Sequence, residues 1–182
     1  LDGKFLVAMP GMGDPRFERA VIFMCAHSTE GAMGLMINRP AHQLDFKTLM
    51  VQLGIEGDHT ESGPQVLFGG PVEHGRGFVL HSTDYFVEGG TMAISDDFGV
   101  TATMDVLQDM ADGNGPENRL LSLGYSGWGP GQLESEIKNN GWLICDADPV
   151  IAFEAPWGKK WKTAMRSLGF DPAMLSAEGG RT

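Results

Sequence analysis

A serine set among glycines is the first residue with a spacing that suggests chemistry. Ser126 stands in Gly124-Tyr125-Ser126-Gly127-Trp128-Gly129, between the apolar run Leu120-Leu121-Ser122-Leu123 and a helical stretch from Gln132, where a nucleophile elbow would place its serine. The elbow needs Gly-x-Ser-x-Gly. Here Gly127 arrives one residue early and Trp128 takes the second glycine's place. A base would also be needed, and His27, His42, His59, His74 and His81 are scattered without an acid spaced to orient one of them. The favoured reading is a small residue permitted by a tight turn. A hydrolase of a small ester or phosphorylated substrate, built on Ser126, His74 and Glu134, is kept as the alternative.

The same glycines could cradle a phosphate, since Gly127, Gly129 and Gly131 expose backbone donors before a helix. Glu134 and Glu136 already supply negative charge in the first turns of that helix, and neither a P-loop Lys-Ser/Thr nor a full Gly-x-Gly-x-x-Gly follows. No cofactor is indicated. Metal ligation has no support either, because no two histidines lie three or four apart and Asp146 and Asp148 precede Pro149 as a capping pair would. No residue is assigned as catalytic or metal-binding.

Polar and aromatic residues instead gather at three glycine-punctuated corners. Arg39 ends an apolar run, Glu73, His74 and Arg76 follow Gly69-Gly70-Pro71, and Tyr125, Ser126, Trp128 and Glu134 belong to the glycine loop. An arginine that ends an apolar strand must be paired or solvated, and the bland reading pairs Arg39 with Glu134 or Glu73 to fix a bend. Tyr125 and Trp128 offer flat amphipathic surface. The functional reading has all ten residues, Arg39, Gly69, Gly70, Glu73, His74, Arg76, Tyr125, Ser126, Trp128 and Glu134, sharing one recess.

The elements that must position these corners are short. Among 182 residues there are 26 glycines and 10 prolines, so tight turns are frequent and long bundles are disfavoured. Continuous apolar runs at 5–9, 21–26 and 32–37 read as strands covered on both faces. Asp14-Pro15 marks a single helical turn. Phe46, Leu49, Met50 and Leu53 keep helical spacing, and further strands are predicted at 66–68, 78–80 and 92–94. A second helix starts after Thr103 as N-cap. The third region reads as strand 120–123, a glycine turn, a helix from Gln132 and a strand at 142–145. A last helix carries Trp157, Trp161, Ala164, Met165 and Leu168 inward. The order gives α+β, with a mixed, strongly bent sheet and about four helices in one domain over 1–174, followed by a polar mobile tail at 175–182.

A net charge of −11 repels a nucleic-acid backbone, so direct DNA binding is disfavoured. The basic cluster Lys159, Lys160, Lys162 and Arg166 is read as a solvated helix face, with nucleic-acid binding by this C-terminal helix as a second alternative. Cys25 and Cys145 lie in apolar runs, as reduced buried thiols do, although the sequence leaves a disulfide between them open. With no apolar stretch long enough for a membrane span, the chain reads as cytoplasmic.

Four blocks in order carry a resemblance. They are Phe5-Leu-Val-Ala-Met-Pro10 with Asp14-Pro-Arg-Phe-Glu-Arg19, Gly31-Ala-Met-Gly34 with Ile37-Asn-Arg-Pro40, Phe68-Gly-Gly-Pro71 with Arg76-Gly-Phe-Val-Leu-His-Ser82, and Leu123-Gly-Tyr-Ser-Gly-Trp-Gly129 with Gly131-Gln-Leu-Glu134. The sequence resembles the YqgE/AlgH family of bacterial proteins from about residue 4 to about residue 171. That resemblance implies a bifurcated mixed sheet bent into a pseudo-barrel, and no catalytic residues that could be carried across. It brings a transcriptional-regulator label without a recognisable DNA-binding helix. The expected function is a non-enzymatic binding or regulatory module that acts through a partner protein.

Overall fold

The computed structural model describes residues 1–41, 43–55 and 63–171. Nine strands form one sheet: β1 (Lys4–Ala8), β2 (Val21–Ser28), β3 (Gly31–Met36), β4 (Val66–Phe68), β5 (Val72–His81), β6 (Thr91–Ala93), β7 (Gly99–Thr101), β8 (Arg119–Trp128) and β9 (Trp142–Asp146). Their order is β6-β7-β5-β8-β3-β2-β1-β9, and β4 pairs with β8 off this path. All pairings are antiparallel except β4 with β8, which makes the sheet mixed. The sheet forks at β8. Its first half pairs with β4 and β5, whereas Ser126, Gly127 and Trp128 pair with Gly34, Met33 and Ala32 of β3.

The continuous apolar runs are split by the period-two alternation of a strand. Phe5, Val7, Val21, Phe23, Leu35 and Ile37 enter one core, while Leu6, Ala8, Ile22, Met24 and Met36 enter another on the opposite face. The first core is closed by α4 (Lys160–Ser167) through Trp161, Ala164 and Met165. The opposite core is closed by Trp128, Trp142 and Leu133 of α3 (Gln132–Lys138). A third core lies between the other arm of the sheet and α1 (Phe46–Gln52) with α2 (Met104–Ala111). The result is a curled α+β half-barrel with four α-helices among the described residues.

Caps follow the expected chemistry at two starts. The Asp14 carboxylate accepts from Arg16 N at 3.0 Å above a single 3-10 turn, and Asp45 accepts from Thr48 N at 2.7 Å above α1. The Thr103 hydroxyl makes no such bond at the start of α2.

Several expectations are corrected. Gly124–Trp128 is no turn, because β8 runs through it, held by β5 on one side and β3 on the other. Strand β5 is far longer than 78–80, and β7 and a π-helical turn at Val150–Glu154 had no clear sequence signal. The last helix opens as a 3-10 turn with Trp157 exposed. Both cysteines are free thiols, and the segment 175–182 lies outside the described residues, as do His42 and His59. No described helix is long and apolar enough to cross a membrane.

Lys160 departs most from its expected place on a solvated face. It is 2% exposed, and its Nζ donates to Ala152 O at 2.6 Å in the π-helical turn. Burial pulls its pKa down from 10.5 to about 8. Between those two values the unfolded chain holds a proton that the folded chain has shed, so this group adds stability as pH rises from about 8 to about 10.5. Lys160→Met is expected to remove that rise, changing the wild-type-minus-variant stability difference by about 2–3 kcal/mol across the window in urea melts. Parallel curves for the two proteins would contradict it.

Candidate functional site

The three glycine corners meet as backbone. Phe68 N donates to Arg39 O at 2.7 Å, Gly69 N donates to Leu123 O at 2.8 Å, and Gly69 O accepts from Met36 N at 2.9 Å. A Cβ on Gly69 would stand 2.3 Å from Gly124 O, and one on Gly70 would stand 2.1 Å from the Tyr125 carbonyl carbon. Gly69 and Gly70 are therefore contact glycines that let two chain segments touch.

Directly beyond this contact β5 bulges. Val72 pairs with Tyr125 and Gly77 with Leu123, so four residues, Glu73 to Arg76, stand opposite Gly124 alone. Gly124 adopts φ +74° and Glu73 φ +50° at the kink. The bulged residues are exposed. Arg76 lies 3.5 Å from Glu73 and 5.1 Å over the Phe78 ring, and the His74 ring donates to Pro71 O and packs against Phe68.

The other named side chains divide between separate surroundings. Ser126 is fully buried, and its hydroxyl donates to Gly69 O at 3.2 Å. Trp128 is 6% exposed, stacks on Phe17, and donates from Nε1 to Glu136 at 3.3 Å. Glu134 accepts from His27 Nε2 at 2.6 Å; its own backbone N–H and then His27 hold its carboxyl below the usual carboxylate range. The proposed Arg39–Glu134 and Arg39–Glu73 pairs are absent. Arg39 instead donates from its two terminal nitrogens to Arg16 O and Glu18 O, each at 2.8 Å, and points into a cavity of about 430 Å³ beside Arg19, Trp157 and Lys162.

Tyr125 faces a different recess. The β2–β3 turn, Val72, Tyr125, Gly127 and Trp128 enclose an open groove of about 740 Å³, whose lining also includes the exposed Asp2 and Glu30. The turn reaches β8 because Ala32 pairs with Trp128 and Met33 with Gly127. His27 and Glu30, which line this groove, had no local signal; only the β3–β8 pairing brings them within reach of Tyr125.

Nucleophile chemistry in this region is constrained. Ser126, His74 and Glu134 each bond to other groups and do not meet. His81 is buried, its Nδ1–H donates to Ser82 O at 2.8 Å, and Nε2 accepts from the Thr101 hydroxyl at 2.7 Å. Burial lowers its pKa, favouring that neutral form. Burial also pushes the Cys25 thiol up to about 12 and that of Cys145 up to about 11, so neither is a thiolate at neutral pH. Among the described residues no group of three His, Cys, Asp or Glu could hold a metal ion.

Comparison with known proteins places this arrangement. A family model described as AlgH-like matches residues 5–173. The UPF0301 protein of Ruegeria pomeroyi is 54% identical over 181 residues, covering 99% of this chain and 98% of that protein. A UPF0301 protein of Bradyrhizobium diazoefficiens is 52% identical over 187 residues, covering 99% of this chain and 87% of that protein. The solution structure of the AlgH protein from Pseudomonas aeruginosa superposes with a TM-score of 0.78 at 38% identity, covering 100% of this chain and 95% of that one. The crystal structure of protein DIP2367 from Corynebacterium diphtheriae, at 20% identity and TM-score 0.73 over 96% of this chain and 90% of that one, shares the fold.

Proposed function

We propose that this chain, which belongs to the AlgH-like family, is a non-enzymatic binding or regulatory module that engages a partner protein through the groove between the β2–β3 turn and the kinked β8. One observation carries the reading. Side chains from segments remote in sequence, the β2–β3 turn, Val72 and Tyr125, Gly127 and Trp128 of β8, build one open recess whose lining carries Asp2 and Glu30, while the nearby serine and histidines are already bonded to protein groups. A rigid sheet displaying loop side chains without a nucleophile–base pair suits recognition. The acidic lining favours a partner that presents basic residues.

The test uses two variants that leave the core alone. Gly127→Gln adds a side chain to the groove, where a Cβ meets only ordinary contacts with Tyr125 and Val72, and Glu30→Lys reverses a lining charge. Proteins captured from the host cytosol on the wild-type chain are purified and titrated directly against all three proteins. Affinity is expected to fall about tenfold or more in each variant, with unchanged circular dichroism. Equal affinities across the three would overturn the assignment to this groove.

A further inference from the structure

The second recess, at the Arg39 corner, has a different chemistry. In a chain of net charge −11, the cavity of about 430 Å³ is lined by three cations, Arg19, Arg39 and Lys162, against a single carboxylate, Glu18. None of the three cations makes an ion pair with a described residue. They come from segments remote in sequence, so local solvation preferences do not explain why they converge.

Two of the three are held in place. The Arg39 fork is anchored by neutral carbonyls, Arg16 O and Glu18 O, which fix its plane without cancelling its charge. Its remaining N–H groups stay available to an anion. Arg19 adopts φ +56°, a conformation uncommon for a residue with a Cβ. Asn38 holds that turn, donating from Nδ2 to Arg19 O at 2.8 Å and accepting from Val21 N at 2.9 Å. The Arg19 guanidinium then lies 5.5 Å over the Trp161 ring at the cavity wall. An uncommon backbone conformation held by a dedicated brace supports reading Arg19 as preorganised. The 3-10 turn that leads into α4 also lines the cavity through Trp157 and Gly158, so the positive end of that helix adds to the field.

We infer that this cavity binds the oxyanion group of a small organic anion, a carboxylate or phosphate monoester, between Arg19, Arg39 and Lys162. Two guanidinium forks match the geometry of those groups, and the volume suits a small molecule. Asn38 is a positioning residue that acts through the Arg19 turn. The site is distinct from the groove at Tyr125, and either assignment can fail alone.

The experiment titrates the full chain with phenyl phosphate, benzoate, inorganic phosphate and benzyl alcohol, read by calorimetry and by the arginine Nε resonances. Saturable binding is expected for phenyl phosphate or benzoate, and their ratio shows which oxyanion the site prefers. Benzyl alcohol is expected to give none. Lys162→Met, an exposed position, and Arg19→Gly, which removes the guanidinium and suits the φ of that turn, are each expected to weaken binding about tenfold or more. Both should melt close to wild type. Asn38→Ala is expected to weaken binding and broaden the Arg19 Nε signal while leaving that of Arg39 sharp. Inorganic phosphate that binds as tightly as either organic anion would overturn the organic-ligand assignment. Absence of saturation, or affinities indifferent to Lys162→Met and Arg19→Gly, would overturn the site.

Discussion

Gly70→Ala is expected to cost at least about 3 kcal/mol of folding stability, read as a lowered urea midpoint. The added Cβ would stand 2.1 Å from the Tyr125 carbonyl carbon, 2.2 Å from Tyr125 O and 2.3 Å from Ser126 N. All three are backbone atoms of β8, so no rotamer change relieves the overlap and the strand itself must move. That movement would reach both arms of the sheet, because Tyr125 pairs with Val72 of β5 and Ser126 pairs with Gly34 of β3. Gly75→Ala is the control. Its Cβ would meet nothing within 4 Å, on the exposed bulge, and it is expected to be neutral or to gain up to about 1 kcal/mol by restricting the unfolded chain. Midpoints for the two variants that agree within error would contradict the close approach of Gly70 to β8.

The same contact shows where sequence reasoning reaches and where it stops. Continuous apolar runs place β1, β2 and β3 and their two-sided burial, since alternation within a strand is a local property. Asp14-Pro15 marks its helical turn for the same reason. The glycine density of 124–131 pointed to a turn, yet of the glycines in β8 only Gly124 has positive φ, and Gly127 pairs normally with Met33. What keeps this segment extended is pairing with two strands distant in sequence, which no local pattern contains. The bulge at Glu73–Arg76 has the same origin, because it exists only relative to Gly124. The polar corners were legible as corners. Their partners were not: Glu134 bonds to His27 across 107 positions, and Arg39 bonds to carbonyls, which sequence does not distinguish from any others. Lys160 looks solvated in sequence because it belongs to a run of basic residues spaced along one helix with Trp157 and Trp161 between them, whereas the π-helical turn that buries it has no recognisable signature.

Trp128 is where an aromatic residue in a glycine-rich stretch most resembles a recognition residue and most clearly is core. Its indole stacks on Phe17 with ring centroids 6.5 Å apart, and meets Trp142 edge-on at 6.3 Å. Its Nε1 shares the Glu136 carboxylate with that of Trp142. Trp128→Ala is expected to cost about 3–5 kcal/mol, the transfer of a buried aromatic plus the cavity left behind. Trp128→Phe keeps ring area and leaves Glu136 its bond from Trp142, so about 1–2 kcal/mol is expected there. The two variants separate packing from recognition. If Trp128 served a partner directly, Trp128→Ala would melt like wild type and lose only affinity, and that outcome would refute its burial. If it is core, Trp128→Ala loses stability and partner affinity together, whereas Gly127→Gln, one residue away on the groove, loses affinity alone. The alternation of β8 sets that division: Ser126 and Trp128 are buried, Trp128 forming one wall of the recess, whereas Tyr125 and Gly127 are its more accessible residues.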